Sequence, residues 1–227
     1  RLGVHFNMKA VKGLTIACFA LFVSSFLCAY IHSAPKLAIE QYFGRGSKYV
    51  DFNALFMPTF VVDLLAGFTM RMWITKMAVC HDQGDTKTLN KLIIKQMGVI
   101  AFITVVSMLV MYFAGGWALS LLYGRDLYGY EWSNALLMLA GGMVAVYTLF
   151  ENVIIIYRHQ HFSIVINIVS AVATVIIMPL FTRSGGVLGA TLAYLAANTI
   201  RAIGYIACAL YYMNKDKKNN QKIPARN

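Results

Sequence analysis

Four ionisable side chains lie inside long apolar runs of the chain: Asp63, Arg71, Glu151 and Arg201. A charge held within a bilayer is costly enough that each should have a partner or a task. Counted from the inner end of its run, Asp63 falls near mid-membrane, as does Arg201. Arg71 and Glu151 fall near the inner surface. Matching by depth predicts two ion pairs, Asp63 with Arg201 and Glu151 with Arg71. The acids and Arg71 would then serve as counter-ions or in ion coupling, although Arg71 is also placed to snorkel to the interface.

The neighbours of Arg201 are polar too. Tyr194, Asn198, Arg201 and Tyr205 recur at intervals of four, three and four, which places them on one helix face. Ser163, Asn167, Ser170 and Thr174 repeat the same spacing one run earlier. Two adjacent polar faces fit a hydrated cavity, and they equally fit interhelical hydrogen bonding. The guanidinium tips the expectation toward a cavity, with Arg201, Asn198, Tyr194, Asn167 and Ser170 as its lining.

Other chemistry is not encoded. There is no HExxH, no GxSxG and no carboxylate pair with a partner base. No catalytic residue, metal site or cofactor is expected. His159 and His161 flank Gln160 in a short turn and read as interfacial rather than metal-binding. The four cysteines (Cys18, Cys28, Cys80 and Cys208) sit in or beside apolar runs and read as free buried thiols. The glycines at 185, 186 and 189 do not form a phosphate loop, because no strand precedes them and no Gly-Lys-Ser/Thr follows.

Apolar spans must position these residues. Hydrophobic residues make up 59% of the 227 and charged residues only 13%, where a soluble domain carries about 25% charge. The net charge of +11 would suggest nucleic acid, but the basic residues lie between apolar runs rather than in one patch, so no nucleic-acid partner is expected. Roughly 20 apolar residues cross a bilayer as a helix. Six runs qualify, at about 13–32, 52–75, 93–122, 132–156, 162–181 and 185–212. The expectation is an all-α membrane protein, a six-transmembrane-helix bundle over 1–212 followed by a basic, disordered tail over 213–227.

Charge sets the orientation. With the N-terminus inside, the outer segments hold Lys36, Arg45, Lys48, Arg125 and Arg183, and fourteen basic residues lie inside. Both termini are therefore expected in the cytoplasm. Tyr123, Tyr128, Tyr130 and Trp132 would mark the outer interface. Within the inner segment 79–95, Thr86 or Thr88 could cap a short amphipathic helix, although a plain basic connector fits better. Pro58 should kink the second span, Gly115–Gly116 should interrupt the third, and the four-residue repeat Gly185, Gly189, Ala193, Ala197 should let helices approach closely.

Three stretches carry a family resemblance: SAPKLAIEQYFG at Ser33–Gly44, ALFMPTFVVDLLAGFTMR at Ala54–Arg71 with its Met57–Pro58 pair, and GVLGATLAYLAANTIR at Gly186–Arg201. They resemble, in turn, the signature that follows helix seven, helix eight and helix twelve of bacterial lipid-linked oligosaccharide flippases. These belong to the polysaccharide-transport branch of the multidrug/oligosaccharidyl-lipid/polysaccharide exporter superfamily. The resemblance implies a C-terminal lobe of a two-lobed, multi-pass protein of the bacterial cytoplasmic (inner) membrane. Its partner would be the N-terminal lobe, missing from a chain that opens at Arg1, and this lobe alone would transport nothing. The implied cargo is an undecaprenyl-diphosphate-linked oligosaccharide for cell-surface polysaccharide such as lipopolysaccharide. Arg201 would contact the diphosphate or an acidic sugar, with Asp63 as its resting counter-ion. A multidrug cation exporter of the same superfamily is the first alternative, and a membrane-embedded glycan ligase or polymerase the second. The former needs an acidic cavity and the latter large outer loops, and neither is evident.

Overall fold

In a computed structural model, residues 8–159 and 161–220 are described. Among them every regular element is a helix: α1 (Met8–Phe43), α2 (Ser47–Phe56), α3 (Thr59–Asp82), α4 (Thr86–Phe113), α5 (Gly115–Tyr123), α6 (Glu131–Ile156) and α7 (His161–Asn220). Five stretches are long and apolar enough to cross a bilayer, α2 and α3 counting together as one. The last contains two spans. At Gly186 the backbone leaves helical geometry (φ 56°, ψ −129°) and α7 folds back on itself. Its legs, 161–185 and 187–220, then run antiparallel, with Phe162 against Tyr212 at one end and Ile166 beside Gly204 further along. The fold is the expected six-helix, all-α membrane bundle, with its fifth and sixth spans joined by a one-residue elbow.

The elbow depends on glycine twice. Gly186 takes a positive φ that L side chains rarely adopt. At Gly189 a Cβ would overlap the carbonyl oxygen of Phe181 on the opposite leg. The small-residue repeat thus does bring two helices together, with Ala193 and Ala197 buried below it. Gly185, the first member, faces open space and takes no part.

Several boundaries differ from the sequence expectation. The first span was expected to end near residue 32, but α1 continues to Phe43 with Pro35 inside it. Ala34, Ala38 and Ile39 bury on its inner face, and this packing carries the helix through the proline. The second span breaks at Met57–Pro58 into α2 and α3, as the proline predicts. The third breaks at Ala114, where the buried Gly115 lies against Asn134 and Gly116 against Tyr128. No separate amphipathic helix precedes it, and neither Thr86 nor Thr88 is the cap. Asp85 is, its Oδ1 accepting the Thr88 N–H at 3.1 Å. The connector shrinks to Gln83–Asp85. The tail differs as well, since α7 stays helical to Asn220. The rest of the expected tail, 221–227, lies outside the described residues, as do Arg1 to Asn7 and Gln160.

The Asp85 cap has a consequence for pH. Hydrogen bonding from the Thr88 hydroxyl, and then from its backbone N–H, holds the Asp85 carboxyl below the usual aspartate range. A depressed pKa in the folded state means that the cap's stabilisation is present above the unfolded value, about 3.9, and fades as pH falls through the folded one. Amide exchange in the first turn of α4 should therefore speed up on acidification below about pH 4, while the middle of α6 stays protected.

Helix α6 is the hub of the bundle: it packs on α3, α4 and α7, and α1 lies along α7. Two apolar clusters fill the interior. One, around Phe52, Leu55, Phe56, Leu137 and Ala190, occupies the elbow end; the other, around Met77, Leu89, Leu149, Val153 and Ala209, occupies the opposite end. Large apolar side chains such as Phe22, Leu64, Phe68, Phe102, Phe113 and Ile176 point outward, an arrangement that water disfavours and a bilayer covers. The orientation can be checked by maleimide labelling of intact cells. Cysteine at Lys48, near the elbow end, should react from outside, and cysteine at Lys87, near the other end, should react only after permeabilisation. The opposite pattern would invert the topology.

Candidate functional site

Between the two apolar clusters lies a polar layer. Arg201 is at its centre, fully buried at 0% exposure. The second leg of α7 supplies Tyr194, Asn198, Arg201 and Tyr205 from one face, all buried, as their spacing requires. The first leg supplies Asn167, α6 supplies Tyr147 and Glu151 one turn apart, and α1 supplies Ser24, Cys28 and His32 at intervals of four.

The guanidinium is held mainly by neutral groups. Its Nη2 donates to Cys28 Sγ at 2.6 Å. Its central carbon lies over the Tyr147 ring, 3.8 Å from the centroid, with Tyr205 further off at 5.9 Å. Cation–π contact of this kind is strongest where water is excluded. Nε and Nη1 are buried and, among the described residues, have no hydrogen-bond partner. Nε–H and both Nη1 hydrogens are thus donors without an acceptor, and a buried orphan of this sort calls for an explanation.

Hydrogen bonds with His32, Glu151 and Asn167 hold the tyrosine hydroxyls. His32 bridges two tyrosines, with Nδ1 at 2.9 Å from the Tyr194 hydroxyl and Nε2 at 3.1 Å from that of Tyr147. The Tyr205 hydroxyl lies 3.1 Å from Glu151 Oε1 and 3.3 Å from Asn167 Oδ1. The Asn167 amide donates to Ser24 Oγ at 2.7 Å. Glu151 is near enough to act on Arg201 electrostatically without touching it.

The chain matches no family model, and neither a curated protein nor a solved structure similar to it is found. The site's own geometry is therefore the ground for assigning it a task.

That geometry corrects both expected ion pairs. Among the described residues Asp63, Arg71, Glu151 and Arg201 form no salt bridge. Asp63 faces α4 and α6, lining a cavity of about 10 Å³ with Gln96 and Thr148. It turns away because position 63 lies on the face of α3 directed at those helices, while Arg201 looks toward α1 and the middle of α6. Glu151 receives the Tyr205 hydroxyl, and Arg71 lies exposed, 5.9 Å over the Phe68 ring. The expected open cavity is closed in this state. Arg201, Asn198, Tyr194, Asn167 and Ser170 are all buried, and Ser170 is turned to its own helix, donating to the Ile166 carbonyl at 2.8 Å. Asn198 likewise bonds the Tyr194 carbonyl, at 2.9 Å.

Four residues of the layer escaped the sequence analysis: Ser24, Cys28, His32 and Tyr147. The signal was present. Ser24, Cys28 and His32 form an i, i+4, i+8 stripe on an otherwise apolar span, the same kind of pattern that exposed the α7 stripe, but without a formal charge to draw attention.

Proposed function

We propose that this chain is part of a membrane transporter that carries a lipid-linked oligosaccharide across the bacterial cytoplasmic membrane, and that Arg201 contacts the anionic diphosphate. The observation that carries the reading is the set of unpaired donors on Arg201. A buried guanidinium that touches no carboxylate among the described residues is suited to an anion that arrives and leaves. A diphosphate offers several acceptor oxygens, and a planar fork can hold two of them by charge-assisted hydrogen bonds. The resemblance of the stretches 33–44, 54–71 and 186–201 to polysaccharide flippases supports the same cargo.

Transport requires the layer to open. In transporters of this general kind, one bundle rocks against another around a site near the midplane. In the present state the rings of Tyr147 and Tyr205 and the His32 bridge cover the guanidinium. Separating α1 from α6 and α7 would break two hydrogen bonds of His32 and the Cys28 contact, and would expose Nε and Nη1. This makes α1 the moving element and α6–α7 the frame.

A multidrug cation exporter is favoured by one observation only, the unpaired Asp63. The cation at the centre of the layer opposes it. A ligase or polymerase would need long loops to carry catalytic groups, and the connections at the elbow end are short: residues 44–46, 124–130 and Gly186 itself. The deciding experiment uses full-length protein in proteoliposomes, with radiolabelled undecaprenyl-diphosphate oligosaccharide in the outer leaflet. Protein-dependent movement of the label to the inner leaflet is expected. Joining of glycans without translocation, or export of a cationic dye in place of the glycan lipid, would refute the reading.

A further inference from the structure

Five cations cluster at the elbow end: Lys36, Arg45, Lys48, Arg125 and Arg183. Two are paired with carboxylates and a third is half-buried against a ring. Arg45 Nε bonds Glu40 Oε1 at 2.6 Å, and Arg125 Nη1 lies 3.2 Å from Asp51 Oδ1. The half-buried Lys36 packs its ammonium over the Phe56 ring, 4.8 Å from the centroid. Lys48 and Arg183 remain, and among the described residues neither has a carboxylate partner. Both line the same cavity, about 520 Å³ in volume, between the end of α1, the start of α2, the start of α6 and the elbow of α7.

The rest of that lining is specific in type. Tyr130 and Trp132 contribute aromatic surface from one side, and Ser133 and Ser184 also line the cavity, the Ser184 hydroxyl donating to the Leu180 and Phe181 carbonyls of its own helix and so offering only its lone pairs. Lys48 is not swinging freely in water; its ammonium lies 4.4 Å from the Phe43 ring centroid, which orders it beside the cavity. Arg183 and Ser184 also wall a second hollow of about 600 Å³ toward Tyr42 and Pro179. Two unpaired cations, hydroxyls and aromatic faces around a hollow of monosaccharide to disaccharide size form a set with one obvious complement. Saccharide rings stack their C–H faces on aromatics, and a carboxylate or phosphate takes the cations.

We propose that this cavity binds an acidic saccharide, a sugar bearing a carboxylate or phosphate, with its anionic group between Lys48 and Arg183 and its ring against Tyr130 and Trp132. The site lies at the elbow, beyond the first apolar cluster, and is separate from Arg201. It rests on the transport reading only for the source of the sugar, which would be the glycan carried on the lipid. Lys48 and Arg183 also explain their own presence at an end where positive charge runs against the expected topology.

The test uses saturation-transfer NMR on full-length protein in neutral phosphatidylcholine nanodiscs, with glucuronate, glucose 1-phosphate and glucose as probes. Both acidic sugars should bind and glucose should not. The double variant Lys48→Gln/Arg183→Gln, with unchanged thermal stability, should weaken acidic-sugar binding roughly tenfold or more. Arg201→Gln should leave this binding intact, so loss of the diphosphate contact and loss of this site can be told apart. Equal binding of glucose, absence of binding, or an unaffected double variant would overturn the proposal. So would displacement of the sugar by added phosphatidylglycerol with loss of that lipid in the double variant, which would make the cavity a lipid headgroup site.

Discussion

Substituting Arg201 with lysine is expected to reduce translocation of the glycan lipid roughly tenfold or more while leaving the fold intact, because an ammonium loses both the close guanidinium contact with the Tyr147 ring and the two-point grip on an anion. Leucine at the same position should abolish transport. Its effect on stability separates this site from a buried ion pair. Removing one partner of a buried pair strands the other charge and costs about 3–5 kcal/mol. Among the described residues Arg201 touches no carboxylate: its contacts are a thiol and two tyrosine rings, and Glu151 acts on it only from beyond contact distance. Arg201→Leu should therefore cost less than about 3 kcal/mol, and Asp63→Leu should add to it independently, with a coupling below about 0.5 kcal/mol as for sites that share no contact. A double-mutant cycle in detergent, followed by thermal unfolding, reads both numbers. A coupling of several kcal/mol would restore the Asp63–Arg201 pair.

The largest effect on folding is expected at Gly189. A methyl group there would have to occupy the space of the Phe181 carbonyl, and backbone cannot step aside as a flexible side chain can. Gly189→Ala should part the two legs of α7 and cost about 3 kcal/mol or more. The loss should appear as a lower unfolding temperature and as faster amide exchange on both sides of the elbow. Gly185→Ala is the control: it has nothing within 4 Å of the new Cβ, so it should be neutral or slightly stabilising. Equal behaviour of the two variants would mean that the legs do not meet where they are placed.

What the sequence made legible follows from what is periodic in it. Span number, the Pro58 break, the Gly115–Gly116 interruption and the two polar stripes of α7 all show up as spacing, and spacing survives folding. Termination of α1 did not, because Pro35 reads as a stop in isolation and only the burial of Ala34, Ala38 and Ile39 against neighbouring helices overrides it. The ion pairs failed for a related reason. Depth in the membrane can be counted along one helix, but the direction a residue faces depends on how helices rotate against one another. Asp63 and Arg201 share a depth and look at different neighbours. The aromatic cage of Arg201 was hidden because Tyr147 and His32 carry no fixed charge in an apolar span, although Ser24, Cys28 and His32 mark a face by their spacing.

The proposed contact of Arg201 with a diphosphate is open to direct measurement. Native mass spectrometry of the full-length protein with a polyprenyl diphosphate and the matching monophosphate measures this directly. The wild type should retain the diphosphate in preference to the monophosphate, Arg201→Gln should weaken diphosphate binding roughly tenfold or more, and Asp63→Asn should bind as the wild type does. Undiminished diphosphate binding by Arg201→Gln would contradict the assignment and leave the buried guanidinium as a structural cation alone.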